Sequence, residues 1–385
     1  MNAASAYIHV PFCKHRCGYC NFTLVANRDD LVPHFLDALE LEISQHLSGP
    51  QAVKTVFLGG GTPSHLNTAE LRRLLELINC WLPLEEGGEF SCELNPIDCT
   101  PEKLGLLTDH GVNRLSIGGQ SFSNRKLKAL ERDHTGEVLQ QAIECGGKFC
   151  TNVSLDLIFA APQESLSEWQ ADLQIATSLP ITHVSTYGLT IEKGAAFYGK
   201  VKRGSLREVD EGLQLDMYMA AINHLNNTDG WKHYEVSSFA KQNARCLHNQ
   251  TYWLGQPWYG FGPGAASLRA TSNPTYPLIR SVNHRSTNSY IKRIQNRQPA
   301  TAEEDLLSRE QAIREQVVFG LRMLDGISPR KISEQWAEED IERLFEPYLS
   351  RFVEEGWLQR AGEQLRLTQN GLMISDSLWP DLLSP

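Results

Sequence analysis

The chain has 385 residues, of which 36 are Lys or Arg and 46 are Asp or Glu, so its formal charge is −10. This length predicts a large α/β domain with a smaller one, and the acidic balance argues against binding to nucleic acid through clustered cations. No apolar run approaches the roughly 20 residues of a membrane-spanning helix. The start MNAASAYIHV lacks the regions of a signal peptide, so we expect a cytoplasmic protein whose nine cysteines are thiols rather than disulfides.

Strand-like and helix-like segments alternate through residues 1–230, as they do in βα units that build a parallel sheet. The six predicted strands are AYIHV, VKTVFLGG, EFSCELN, RLSIGG, NVSLDLIFA and HVSTYGLT. Six units are fewer than the eight of a closed TIM barrel, so the predicted fold is α/β, an open partial (β/α) barrel. GGGTP, ELNP, GGQSF and Asp156 stand near the C-terminal ends of these strands, where such folds place their sites.

The second half of the chain changes character twice. Residues 231–300 are rich in aromatic residues and glycine and are predicted to add strands or a lid to the barrel, with a polar linker at 299–305. Residues 301–385 show helical patterns, including IERLFEPYLSRFVEEGW, and then the hairpin pattern LQRAGEQLRL, the order of a winged-helix-like domain. This last domain has nine basic and seventeen acidic residues, which argues against DNA binding through the wing.

Three cysteines, Cys13, Cys17 and Cys20, lie within eight residues directly after the first predicted strand. Soft thiolates of this kind select zinc or iron–sulfur clusters. Structural zinc normally takes four protein ligands, and no matching CxxC pair follows, so a zinc-binding scaffold is the weakest interpretation. Three thiolates on a cube-shaped 4Fe-4S cluster leave one iron open for a cofactor or substrate, and this is the preferred interpretation.

The spacing of these cysteines, with Tyr19 before the third, resembles the signature of the radical S-adenosylmethionine (SAM) superfamily. The segments YIHVPFC, GGGTP, ELNP, QSF, ERDH and DLIFAAP follow in the order of its coproporphyrinogen III oxidase-like branch, and the resemblance covers nearly the whole chain. It implies that the open iron is chelated by the amino and carboxylate groups of SAM. One-electron reduction of the cluster then cleaves SAM to a 5′-deoxyadenosyl radical.

The resemblance also implies which residues contact SAM. Gly60, Gly61 and Thr62 would approach its methionine part through their backbone. Glu93 would accept hydrogen bonds from its amino group, and Arg132 would pair with its carboxylate. The remaining implied contacts are Gln120 and Asp156 on the ribose or sulfonium side, Tyr19 at the adenine and Tyr7 near the cofactor.

Two functions occur in this branch, and the sequence distinguishes them. Enzymes that oxidatively decarboxylate coproporphyrinogen III carry a fourth cysteine two residues after the third and a longer N-terminal segment. Here that position is Phe22, and twelve residues precede Cys13. Both features resemble the HemW-type heme chaperones of the branch. We therefore expect a protein that binds a 4Fe-4S cluster, SAM and heme and delivers heme to a heme protein; a coproporphyrinogen III dehydrogenase is the alternative.

The segment HNQTYW, from His248 to Trp253, resembles the H-N-x-x-Y-W element associated with heme binding in these chaperones. His248 is a candidate axial ligand, Tyr252 and Trp253 are candidates for stacking on the porphyrin, and Cys246 is an alternative ligand. In a second interpretation, His248 only cross-links the aromatic segment. The family's following GPGAHS reads GPGAAS, so Ala266 replaces a histidine.

The resemblance extends to partners. It implies a reductant protein for the cluster, a recipient heme protein, for which a respiratory one is a candidate, and attachment to a membrane only through such a partner. A homodimer is a candidate assembly, although no segment indicates an interface. Two positions depart from the family pattern, because Gly119 stands where an apolar residue is usual and FAAP replaces a glycine-leucine-proline ending.

Overall fold

The computed structural model describes residues 3–337 and 340–384. Its strands are β1 (Ser5–Val10), β2 (Phe12–Cys13), β3 (Val25–Ala26), β4 (Val53–Gly60), β5 (Leu84–Leu94), β6 (Arg114–Gln120), β7 (Asn152–Phe159), β8 (His183–Gly188), β9 (Lys232–Glu235), β10 (Ser238–Ala240), β11 (Tyr259–Phe261), β12 (Ala266–Ala270), β13 (Leu278–Asn283), β14 (Thr301–Leu307), β15 (Leu358–Ala361) and β16 (Gln364–Leu367).

The helices follow the strands in the expected alternation. They are α1 (Val32–His46), α2 (Thr68–Trp81), α3 (Pro101–Asp109), α4 (Asn124–Ala129), α5 (Gly136–Phe149), α6 (Leu166–Ser178), α7 (Ala196–Lys202), α8 (Glu211–Asn226), α9 (Leu247–Trp253), α10 (Thr287–Gln295), α11 (Arg309–Leu321), α12 (Pro329–Trp336), α13 (Tyr348–Glu354), α14 (Gln369–Met373) and α15 (Ser375–Leu383). Within the described residues, no helix has the length and apolar character needed to cross a membrane.

Six parallel strands, β1, β4, β5, β6, β7 and β8, lie side by side and confirm the predicted six-unit open barrel. Their spatial order equals their chain order, because each βα crossover returns to the neighbouring position in the same hand. The extension lengthens this sheet at both edges: β11 pairs with β1 in parallel, and antiparallel β10 and β9 continue beyond β8. The nine-stranded sheet therefore keeps two edges and does not close.

Strand β5 shows how the barrel separates its two faces. Phe90, Cys92 and Leu94 belong to the main hydrophobic core, while Glu89 and Glu93 alternate with them on the opposite face. The opposite face points into the barrel, where Glu93 lines the interior cavities and Glu89 contacts helix α9. The strands thus deliver polar side chains to the interior at a regular two-residue spacing.

Two predictions for the C-terminal half are wrong. The segment predicted as a polar linker at 299–305 contains most of strand β14, which pairs with β13 in a three-stranded sheet with β12. Its charged side chains are exposed, because backbone pairing rather than a buried face holds this edge strand. The predicted helix IERLFEPYLSRFVEEGW is split into a 3-10 turn at Ile341–Phe345 and α13, because Pro347 cannot donate a helical hydrogen bond.

The C-terminal domain has the predicted winged-helix-like order of helices followed by the β15–β16 hairpin. Two short helices that the sequence patterns did not indicate, α14 and α15, follow the hairpin, and α15 packs on α11. Helix α11 also contacts α9 of the extension. The domain therefore rests on the segment that contains the HNQTYW motif.

Candidate functional site

A cavity of about 480 Å³ opens at the C-terminal ends of the barrel strands. Twelve residues were assigned by resemblance to the cluster or SAM, and eleven of them line this cavity: Cys13, Cys17, Cys20, Tyr19, Gly60, Gly61, Thr62, Glu93, Gln120, Arg132 and Asp156. They come from six separate loops and strand ends, which converge because parallel strands end at the same rim. We call this space the cofactor cavity.

The loop that carries the cysteines is held from both sides. Arg16 donates to the carbonyl oxygen of Leu24 at 2.7 Å, which closes the loop on itself. The backbone N–H of Phe197, at the start of α7, donates to the carbonyl oxygen of Gly18 at 2.8 Å. Tyr19 packs against a small apolar cluster that includes Leu189. These contacts fix the loop against the barrel rim before any ligand is bound.

The thiol groups of the loop have distinct polar neighbours. Cys13 Sγ lies 3.2 Å from Thr62 Oγ1, and Arg132 Nη1 donates to Cys17 Sγ at 3.5 Å. Burial raises the pKa of Cys13 to about 11, and the pKa of Cys20 is also raised by burial. Because metal ligands must be thiolates, these cysteines would release their protons on binding a cluster. Within the described residues, no group of three or more His, Cys, Asp or Glu side chains is arranged to hold a single metal ion.

The glycines of the GGGTP motif let the backbone come close to the cofactor cavity. Gly60 has φ +107, a conformation that favours glycine, and a Cβ there would collide with the ring of His9. A Cβ on Gly61 would lie 2.7 Å from the carbonyl oxygen of Phe12. The Gly60 N–H donates to Glu93 Oε2 at 2.9 Å and so orients this carboxyl group. The motif is a close backbone approach rather than a simple tight turn.

Two acidic groups face the cavity with few donors to satisfy them. Burial and, to a lesser extent, the nearby Asp156 together raise the pKa of Glu93 to about 8, against the lowering effect of the Gly60 N–H hydrogen bond. Burial also raises the pKa of Asp156 to about 6, against the opposing effect of hydrogen bonds from Ser185 and Ser116. A positively charged ligand between these groups would favour their ionised forms. The ammonium and sulfonium groups of SAM have this charge.

Arg132 is partly paired and partly free. Its Nη2 donates to the Gly118 carbonyl oxygen at 2.8 Å, but its buried Nε has no partner among the described residues. Asn95 Oδ1 also lies at the cavity, and it too is buried without a partner among the residues that the structure describes. Unpaired buried polar atoms are rare, and here a ligand carboxylate and amine would complete them. The three thiols, the glycine cradle and these atoms therefore fit a 4Fe-4S cluster with SAM.

When bound, the cluster and SAM supply one-electron cleavage of SAM to a 5′-deoxyadenosyl radical. The chain's own contribution would be positioning: the three thiolates would hold the cluster, and Glu93 and Arg132 would orient the two ends of the amino acid group of SAM. Asp156 lines the same cavity. Several lining residues were missed in the sequence, among them Asn95, Ser116, Tyr187, Leu189 and Glu192. Tyr187 and Leu189 end the sixth predicted strand, HVSTYGLT, so their position at a strand end was an available signal.

Tyr7, the twelfth residue, lies below the cofactor cavity rather than in it. Its hydroxyl group is 3.0 Å from His9 Nδ1, and its ring lines a second interior cavity of about 200 Å³. Glu93 and Asp156 line both cavities, so they form the boundary between them. We call the lower space the lumen. Tyr7 therefore shares the lumen, and not the cofactor cavity, with Glu93.

His248 points into the lumen. Its Nδ1 lies 2.8 Å from Thr55 Oγ1, its Nε2 lies 2.7 Å from the Tyr252 hydroxyl group, and its ring stacks on Phe57. Burial lowers the pKa of His248 to about 3, so the ring is neutral. Both ring nitrogens already have partners, and the side chain is 1% exposed. This geometry favours the interpretation in which His248 cross-links the aromatic segment.

Of the other residues considered for heme, Tyr252 lies beside His248, whereas Trp253 faces another part of the molecule. Trp253 turns toward the C-terminal domain, where the guanidinium group of Arg322 lies 4.5 Å from its ring centroid. Cys246 is buried, with its Sγ 3.4 Å from Glu89 Oε1, and burial raises its pKa to about 12. Cys246 and His248 both line the lumen, but its volume of about 200 Å³ is smaller than that of typical ligand pockets, and Trp253 lies outside it.

Glu89 explains why α9 enters the barrel, and no sequence pattern indicated it. Its carboxylate accepts from the backbone N–H groups of Leu247 at 2.8 Å and His248 at 3.1 Å, which are the first two residues of α9. A carboxylate at this end of a helix satisfies free N–H groups and complements the helix dipole. Glu89 comes from β5, so the barrel itself caps the helix that carries the motif.

Comparison with known proteins agrees with this geometry. The profile of the "Radical SAM superfamily" matches residues 7–176, and that of the "HemN C-terminal domain" matches residues 307–374. A curated relative, "Heme chaperone HemW" of Bacillus subtilis (strain 168), is 32% identical over 97% of this chain and 98% of its own length. The chain belongs to the HemW family of radical SAM proteins.

Other members and relatives of the HemW family extend the match. "Radical S-adenosyl methionine domain-containing protein 1, mitochondrial" of Danio rerio is 32% identical over 99% of this chain and 87% of its own length. The solved structure of coproporphyrinogen III oxidase (HemN) from Escherichia coli superposes with a TM-score of 0.84 over 99% of this chain and 90% of that one, at 20% identity. That likeness establishes the shared fold.

The two departures from the family pattern have local structural explanations. Gly119 faces a space that Leu139 and Leu155 already fill, since a Cβ there would lie 2.6 Å from Leu139 Cδ2. Ala160, in FAAP, has φ +60, the left-handed conformation for which glycine is usual. The first departure is compensated by packing, and the second leaves strain at the end of β7.

Proposed function

We propose that this protein is a heme chaperone that holds a 4Fe-4S cluster and SAM in the cofactor cavity, binds heme and passes it to a recipient heme protein. The observation that carries the proposal is the full-length similarity to curated heme chaperones of the HemW family. The cofactor cavity supports the cluster and SAM through its three thiols, its glycine backbone and the unpaired polar atoms of Arg132 and Asn95.

Phe22 separates the chaperone from the decarboxylating enzyme. It occupies the position of the enzyme's additional cysteine, and its side chain is 69% exposed at the rim of the cofactor cavity. A phenyl ring at this place offers apolar surface and no thiol. A porphyrin carrier gains contact area from such a ring.

The finer parts of the proposal concern partners and place of action. A reductant protein delivers the electron to the cluster, a homodimer is the assembly to test, and the protein works in the cytoplasm, reaching a membrane only through its heme recipient. A respiratory heme protein is the recipient to test first.

The decisive experiment is an anaerobic assay with the reconstituted protein, reductant, SAM and coproporphyrinogen III. A heme chaperone produces no protoporphyrinogen under these conditions, while hemin added to the same preparation gives a saturable change in the Soret band. Robust formation of protoporphyrinogen would instead make the protein a coproporphyrinogen III dehydrogenase. Lack of any saturable hemin binding would remove the chaperone function.

A further inference from the structure

A third opening lies beside the cofactor cavity, and the sequence did not indicate it as a site. It has a volume of about 330 Å³, within the range of roughly 300 to 1,000 Å³ typical of ligand pockets. Phe22, Tyr252, Trp258, Ala266 and Arg285 contribute to its walls, and we call it the aromatic cleft. Asn21 and Phe22 line both the aromatic cleft and the cofactor cavity, so the two spaces are neighbours.

The walls of the aromatic cleft offer apolar ring surface in two nearly perpendicular planes. Tyr252 and Trp258 meet edge to face, with ring centroids 4.8 Å apart. The Trp258 Nε1–H donates to the Ala266 carbonyl oxygen at 2.8 Å, so its polar atom is satisfied by the protein. Phe22 stands at the rim with 69% of its side chain exposed. A large exposed apolar ring next to an open cleft is typical of a binding site.

A free cation completes the cleft. Arg285 is exposed, and it has no ion pair or hydrogen-bond partner among residues 3–337 and 340–384. Ala266 widens the cleft, because it has only a methyl group where the family pattern has a histidine. Two perpendicular aromatic walls can contact the face and the edge of one planar ring system, and the unpaired guanidinium group can pair with a carboxylate on it. A porphyrin with its propionates has this chemistry.

The HNQTYW motif connects the lumen to the aromatic cleft through Tyr252. The ring of Tyr252 lines both spaces, while its hydroxyl group lies 2.7 Å from His248 Nε2. His248 therefore holds the Tyr252 ring in place from behind. The lumen, at about 200 Å³, is smaller than typical ligand pockets, so a macrocycle has no room beside His248.

Resting on the proposed function, we infer that heme is seated in the aromatic cleft in contact with Phe22, Tyr252 and Trp258, with a propionate paired to Arg285. Because the Tyr252 and Trp258 rings are nearly perpendicular, one of them stacks on the porphyrin face and the other borders its edge. His248 acts as a positioning residue for Tyr252 and is not the iron ligand. Binding by aromatic contacts and one ion pair uses the porphyrin ring rather than the metal. A carrier that binds heme through its porphyrin ring leaves the iron free to be coordinated by a side chain of the recipient protein.

The test compares hemin with iron-free protoporphyrin IX on the holoprotein. We expect both to bind with similar dissociation constants. Trp258→Ala should weaken both by about tenfold, because it removes a large stacking surface. Phe22→Ser and Arg285→Gln change exposed side chains, so they keep the fold and should each weaken binding about fivefold. Arg285→Lys should recover part of the loss, and Lys292→Gln, an exposed change on α10, should have no effect.

The outcomes separate the inference from the function on which it rests. If hemin binds the wild-type protein but protoporphyrin IX does not, iron ligation carries the binding and the inference is overturned. Unchanged affinities in both Phe22→Ser and Arg285→Gln would also overturn it, while the chaperone function would stand. If neither porphyrin binds the wild-type protein, the proposed function itself fails. Circular dichroism and iron content confirm that each variant is folded and loaded.

Discussion

Glu89 and Glu93 lie four residues apart on the same face of strand β5, yet their surroundings differ. Glu89 accepts hydrogen bonds from two backbone N–H groups of α9, and Ser91 Oγ also donates to it at 3.1 Å. Glu93 accepts from the single N–H of Gly60 and faces the cofactor cavity, where burial raises its pKa to about 8. The floor of the barrel is thus completed by the chain itself, whereas the mouth is left for a ligand to complete.

The largest effect is expected at the mouth. Cys17→Ala removes one of the three thiolates. The iron content after anaerobic reconstitution should therefore fall from about four irons per chain to nearly none, because a 4Fe-4S cluster here depends on all three cysteine ligands. The broad visible absorption should disappear with the iron. Cys80→Ala is the matched control, since Cys80 is an exposed thiol outside the loop and should leave the iron content unchanged. Retention of a full cluster by Cys17→Ala would contradict the site.

At the floor, Glu89→Gln should lower the free energy of unfolding by about 3 kcal/mol, because the charged acceptor of two helix N–H groups is lost from a buried position. Urea denaturation of the metal-free protein measures this change. Glu86→Gln, an exposed change on the same strand, should alter it by less than about 0.5 kcal/mol. A Glu89→Gln protein as stable as wild type would mean that α9 is held by other contacts.

Glu93→Gln should have the opposite sign in the metal-free protein. A carboxyl group with a pKa raised from 4.5 to about 8 contributes its stability fully below pH 4.5 and loses it as the pH rises through 8. The variant should therefore gain about 1 to 3 kcal/mol relative to wild type at pH 8, and the gain should shrink toward pH 5. Asp156 and Arg114 are the charged groups that line the lumen together with Glu93, and the Glu93→Gln variant retains both of them.

Urea denaturation at pH 5, 6, 7 and 8 tests this difference, with the exposed Glu85→Gln as the control on the same strand. In the same variant SAM should bind more weakly, since Glu93 no longer offers a charged acceptor to the ligand amine. If the Glu93→Gln protein were less stable than wild type at pH 8, the Glu93 carboxylate would have enough hydrogen-bond donors within the protein, as Glu89 has, and would not need a ligand.

The smallest effect is expected at Ala160. Its φ of +60 strains an L-residue at the end of β7, so Ala160→Gly should raise the free energy of unfolding by about 1 kcal/mol. Ala161→Gly is the matched control, because Ala161 is buried and is not among the residues with positive φ. This variant should be less stable than the wild-type protein, since it loses a buried methyl group without relieving strain. Thermal denaturation compares the two. If both variants lose stability, the packing of Ala160 outweighs its strain.

Sequence patterns were most informative where residues lie at strand ends. The GGGTP, ELNP and GGQSF motifs and Asp156 converge because the C-terminal ends of parallel strands share one rim, and eleven of twelve assigned residues meet there. The prediction of a polar linker at 299–305 was wrong for a related reason. A charged edge strand has no buried face to leave an alternating pattern, so only its pairing with β13 reveals it.

By itself, the sequence determined the open six-unit barrel, the three-thiolate loop and the family. Periodicity and motif spacing are local signals, so they can be identified without knowing how distant parts of the chain pack. Only the tertiary structure decided the direction of His248. That direction depends on the contact of Glu89 with the His248 N–H, which joins positions 159 residues apart. No local pattern encodes such a contact, because the helix is turned into the barrel by a carboxylate from a distant strand.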